Sequence, residues 1–161
     1  MNAPGAPVSP TKVDHRRLSA DTFNRTWDLL EQSRRTPAED ELMLTMARAS
    51  LHHWNQRPDV TELNRSIGHW LVSRVLAVLG RGPEAREEAQ LSLAAAKDEA
   101  SYYVGYAHEA LARAAQVMGN EATRDRHLEL AGKYAAQVTD ATNRKMLKDD
   151  LTDLRGPQRR G

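Results

Sequence analysis

Apolar side chains recur along most of this chain at intervals of three and four residues, the spacing that gathers them on one face of an α-helix. Phe23, Trp27 and Leu30 form one such row, Met43, Met46, Ala47, Leu51 and Trp54 a second, and Ala107, Ala110, Leu111, Ala114 and Met118 a third. Runs of alternating Val, Ile and Thr, the usual strand signal, are missing. Between the periodic stretches stand helix starts and stops. Thr36-Pro37-Ala38-Glu39 offers a capping box with proline at the first helical position. Gly80-Arg81-Gly82-Pro83 is a stop followed by a new start, Gly119-Asn120 a second stop, and Thr139-Asp140 a cap.

This pattern predicts an all-α chain of about seven antiparallel helices with short connections. The first is expected to be capped by Ser19 or Asp21 and to run to about Arg34, the second to end at Trp54, and the third to span about Val60 to Leu79. The fourth reaches about Lys97, the fifth spans Glu99 to Met118, the sixth Glu121 to Val138, and the seventh ends near Leu154. One domain, residues 18–155, is expected between disordered segments at 1–17 and 156–161.

Composition agrees with this reading and narrows the function classes. Apolar residues make up 40% and charged residues 28% of the 161 positions, as in ordinary globular proteins. With 23 basic and 22 acidic residues closely mixed, the net charge is +1, whereas a nucleic-acid binder usually shows a clear basic excess. Only the ends look basic, with Lys12, Arg16 and Arg17 in front and Arg155, Arg159 and Arg160 behind. The chain has no cysteine, which rules out disulfides, thiolate metal sites and cysteine nucleophiles. Neither an export-type start nor a stretch long enough to cross a membrane is readable, so a bacterial-type cytoplasmic location is the default expectation, with no membrane partner.

The third-and-fourth and fifth-and-sixth helices read as copies of one unit. Arg74 lies six residues ahead of Gly80, as Arg113 does of Gly119, and an amphipathic helix follows each glycine. This arrangement resembles the tetratricopeptide repeat, built of helix–turn–helix units of 34 residues. The resemblance covers Leu63 to about Val138, and extends from Ala20 if the first two helices are counted. The repeats are degenerate: the glycines stand 39 residues apart (119 − 80), and Val72-Ser73 and Leu111-Ala112 replace the family's Leu-Gly. The stretches Leu51-His52-His53-Trp54, Trp70-Leu71-Val72-Ser73-Arg74-Val75 and Glu109-Ala110-Leu111-Ala112-Arg113-Ala114 also resemble an uncharacterised group of small bacterial helical-repeat proteins.

At 100° per residue, the fifth helix carries a buried arc of Tyr103, Ala107, Ala110, Leu111, Ala114 and Met118. Beside it runs a second row of Tyr102, Tyr106, Glu109 and Arg113, matched on the third helix by Leu63, Ile67, Trp70 and Arg74. In the family that the chain resembles, this face lines a concave groove. The resemblance therefore implies a ligand surface of Ile67, Trp70, Arg74, Tyr102, Tyr106, Glu109 and Arg113. Two guanidinium groups there would suit a carboxylate or phosphate, and the rings would supply flat apolar area with polar tips. The plainer alternative pairs Arg74 or Arg113 with Glu109 between helices and leaves Trp70 as core.

Six histidines raise the question of catalysis. None lies three or four residues from another, as a metal pair on one helix requires, and His52 and His53 diverge by about 100°. His15 is expected in the tail, His52 towards solvent, and His127 without a companion.

Two functions follow. One is a binding module for a peptide segment or a small anionic molecule, with no cofactor. The other is a small enzyme with an enclosed pocket, in which His53, His69 and Glu109 do acid–base work, with or without a metal. Closure of the groove by the first and seventh helices, with Phe23 and Trp27 as plugs, would favour a pocket. Uncovered apolar surface at the two ends would also suit a homo-oligomer.

Overall fold

The computed structural model describes residues 12–156 and contains, within them, seven α-helices. They are α1 His15–Leu30, α2 Pro37–Asn55, α3 Glu62–Val78, α4 Gly82–Ala96, α5 Ser101–Val117, α6 Glu121–Gln137 and α7 Ala141–Arg155. No described residue lies in a strand. No described helix is long and apolar enough to cross a membrane. Of the two segments expected to be disordered, residues 1–11 and 157–161 lie outside the described residues.

The first helix starts earlier than expected. Asp14 caps it by accepting a hydrogen bond from the Arg17 amide at 3.0 Å, so His15, Arg16 and Arg17 belong to α1 and not to a tail. Ser19, expected to cap, sits fully buried inside the helix. The starts of α2 and α7 follow their signals. Thr36 and Glu39 form the capping box of α2, Thr61 and Asn64 a second one at α3, and Asp140 caps α7. Each satisfies N-terminal amides that have no partner inside the helix.

Neighbouring helices pack in pairs, α1 on α2, α3 on α4 and α5 on α6, and consecutive pairs stack through α2 on α3 and α4 on α5. The second and third pairs keep register throughout. Both helices of one pair begin 39 residues after their counterparts, at Glu62 and Ser101 and at Gly82 and Glu121. The turns match in hydrogen bonding too. The Arg81 amide donates to the Leu76 carbonyl at 2.8 Å and the Asn120 amide to the Ala115 carbonyl at 2.9 Å, while Gly80 and Gly119 reach Ala77 and Gln116. These are Schellman closures, and they need a left-handed residue at the glycine, whose φ is 75° in one and 70° in the other.

The core runs from Leu29, Met43 and Leu71 in the first half to Leu128, Leu147 and Leu151 in the second. Helix α5 is its centre, in contact with α3, α4, α6 and α7. That position corrects one expectation. The second row on α5 does not stand apart from the interior, because Tyr106 is 9% exposed and Glu109 is 0% exposed. Tyr102 and Arg113, in the same row, remain partly exposed.

Candidate functional site

The odd-numbered helices face one another across a cavity of about 440 Å³, a size suited to a small molecule. Trp27 enters from α1, Ile67, Trp70 and Arg74 from α3, Tyr102, Tyr103 and Tyr106 from α5, and Met146 and Asp150 from α7. Ser66 and Ser92 complete the wall where α3 crosses α4, each hydroxyl donating to the other residue's carbonyl, at 3.0 and 2.9 Å.

The rings form a connected series. Trp27 lies against Trp70 with centroids 5.9 Å apart, and Trp70 meets Tyr106 edge-on at 5.5 Å. Tyr106 in turn meets Tyr102 edge-on at 5.0 Å. Such perpendicular contacts are the favoured geometry of aromatic pairs, and they hold ring faces at an angle to one another. At the end of the series the Tyr106 hydroxyl donates to Asp150 at 2.7 Å. Burial, reinforced by that carboxylate, raises the Tyr106 pKa far above its ordinary value, so the phenol keeps the proton that it donates.

Beside Trp70 is a cluster of three charges. Arg113 donates to Glu109 Oε1 from Nε at 2.9 Å and also from its terminal Nη2. Arg74 Nη1 lies 3.6 Å from the same oxygen. Glu109 is completely buried, while the two arginine side chains are 21% and 20% exposed. A carboxylate with no access to water requires such pairing. Two cations on one anion leave the cluster with a formal charge of +1. Arg74 makes no hydrogen bond among the described residues, and its guanidinium carbon lies 5.9 Å from the Trp70 ring centre. Two buried polar atoms nearby also lack partners, Trp70 Nε1 and Glu109 Oε2.

Five of the seven residues expected to face a ligand, Ile67, Trp70, Arg74, Tyr102 and Tyr106, line this cavity. Glu109 and Arg113 stand behind it, joined to it through Arg74. Tyr103, expected in the buried arc, lines the cavity beside Tyr102. Sequence reasoning missed Asp150 and Met146. Their spacing of four residues puts both on one face of α7, but nothing in the chain shows that this face meets α5. Of the two plugs, Trp27 takes its place while Phe23 lines a separate hollow of about 260 Å³ with Trp54 and Ile67.

No protein-family model, curated protein or solved structure matches this chain.

The histidines sort into separate pairs. His15 and His53 share a 2.9 Å contact between their Nδ1 atoms, and burial together with His15 and His52 lowers the His53 pKa. His69 bonds to Glu88 at 2.7 Å. His108 and His127 meet at 3.1 Å, so His127, expected to stand alone, has a companion. Thus His53, His69 and Glu109 each have different partners, on α1, on α4 and in the arginine cluster. Among the described residues no three His, Asp or Glu side chains gather as ligands for a metal ion.

Proposed function

We propose that this protein is a binding module of the tetratricopeptide-like helical-repeat kind, whose cavity between the odd-numbered helices holds a compact ligand with an acidic group. The observation that carries this reading is Arg74. Its guanidinium lines the cavity, has no hydrogen bond to the protein among the described residues, and belongs to a cluster with one more cation than anions. A carboxylate or phosphate on the ligand would take the free N–H fork and balance the charge. Arg113 has the different role of neutralising Glu109, since it makes the hydrogen bonds to that carboxylate. A cavity of about 440 Å³ favours a compact ligand over a long extended peptide.

Direct titration with simple carboxylates, followed by the fluorescence of Trp27 and Trp70, tests the reading. Saturable binding is expected in the unaltered protein. Arg74→Ala should weaken it at least about tenfold, the value of one charge-assisted contact, with no loss of helix. Equal binding by the variant would remove the proposal.

A further inference from the structure

Arg74 accounts for one part of the cavity only. We infer that a second part of its wall, where Asp150 lies with Tyr102 and Tyr106, is a subsite for an N-alkylated ammonium group. This deepens the acid-binding reading and rests on it for one half: together the two parts would take a zwitterion, with its acid at Arg74 and its ammonium at Asp150.

The first ground is charge. Asp150 lines the cavity and accepts a hydrogen bond from the Tyr106 hydroxyl, but no Lys, Arg or His lies within ion-pairing distance of it among the described residues. The Lys145 ammonium, on the same helix, pairs with Asp149 instead, at 2.5 Å. A neutral phenol does not cancel the carboxylate's charge, which is left to water or to a cation that enters. Arg74 does not balance it either. Both groups line the same cavity without pairing, so its wall offers a cation and an anion that do not satisfy each other.

The second ground is the walls. Aromatic faces carry a negative quadrupole, and rings set at right angles offer a cation more than one face at a time. Tyr102 and Tyr106 stand at 76° and Trp70 and Tyr106 at 77°. The cavity already holds one cation in this way, Arg74 beside Trp70. Carboxylate and ring faces therefore act in the same direction at Asp150. The third ground is hydration. A bare ammonium or a metal cation gains little from the rings and the half-exposed Met146 thioether, whereas alkyl groups on nitrogen weaken its hydration and gain contact with the same surface.

Saturation-transfer NMR on the full chain tests this with three probes at constant ionic strength: tetramethylammonium, acetate, and a series of trimethylammonium carboxylates of increasing chain length. Tetramethylammonium should bind saturably. Asp150→Asn, which keeps an acceptor for Tyr106, should weaken it about tenfold or more, and Tyr102→Leu should weaken it too. Acetate should respond to Arg74→Ala and not to Asp150→Asn, which also shows that the latter variant is folded. One chain length in the series should bind more tightly than either fragment and lose affinity in both variants. If tetramethylammonium fails to bind, or binds Asp150→Asn equally well, the ammonium subsite is wrong, whatever acetate does. If acetate alone fails, the acid-binding reading falls and the subsite at Asp150 stands.

Discussion

The α3/α4 and α5/α6 pairs share their register, turns and glycines but are held together by different chemistry. In the first, serine hydroxyls reach across the helix crossing: Ser66 and Ser92 bond to each other's carbonyls, and Ser73 donates to the Ala85 carbonyl at 2.8 Å. In the second, the matching places hold Gly105, Ala131 and Ala112, and the helices approach through small side chains. Where one pair joins His69 to Glu88, the other joins His108 to His127, each across 19 residues. Where one places Trp70 on the cavity wall, the other places Glu109 beneath it. A repeated backbone therefore does not require a repeated interior. What it fixes is which positions meet, and the occupants then decide whether the junction is polar, apolar or charged.

The largest effect is expected from removing the charge that the second pair buries. Glu109→Ala leaves Arg113 and Arg74 without their shared partner in a poorly hydrated place and should cost about 3 kcal/mol. In the first pair, Glu88→Ala removes a quarter-exposed carboxylate and should cost about 0.5 kcal/mol. Urea denaturation of both variants measures the contrast, and similar losses would show that Glu109 is no more critical than a surface charge.

Acid should separate the pairs next. Burial, with His127 alongside, pushes the His108 pKa down to about 4, and burial, with Arg126, lowers that of His127. The unfolded chain protonates these imidazoles first as pH falls below about 6.5, so it gains protons that the folded protein resists, and stability drops between that pH and about 4. Each pH unit of depression is worth about 1.4 kcal/mol, which gives a loss on the order of 2 kcal/mol by pH 4.5. His127→Glu, which copies the junction of the first pair, should flatten this decline, because a protonated His108 would then meet an opposite charge. An unchanged acid limb in thermal unfolding would place the sensitivity elsewhere.

The smallest effect tests the crossing itself. A Cβ on Gly105 would lie 2.6 Å from Leu147 Cδ2, and Leu147 is fully buried with little room to move. Gly105→Ser, which imports the residue at the matching place in the first pair, should cost about 1 kcal/mol. That is an overpacking penalty of about 2 kcal/mol less the gain from removing a helical glycine. A stabilised variant would mean that α5 and α7 can separate without cost.

Local signals carried most of the helix plan. The capping box at Thr36, the glycines at 80 and 119 and the cap at Asp140 act within a single turn, so neighbouring residues suffice to identify them. Nothing local singles out Asp14, because Ser19 and Asp21 offer equally good caps, and burial of Ser19 against α2, where Ser50 donates to its carbonyl, is a tertiary fact. The candidate site was legible in part. Periodicity put Ile67, Trp70, Arg74, Tyr102 and Tyr106 in matching rows, and all five line the cavity. It could not show that α7 would cover Tyr106 with Asp150, or that His127 would find His108, since these contacts span 44 and 19 residues.

The order of elements, the caps at Thr36 and Asp140 and the 39-residue register belong to the sequence alone, because such signals depend on interactions over a few residues. The environment of each side chain was decided by the tertiary structure. Glu109 reads as one member of an exposed polar row until four helices close around α5, and only then does it become a buried charge that two arginines must share. Burial is a property of what packs on a helix, and the spacing of residues along that helix cannot specify it.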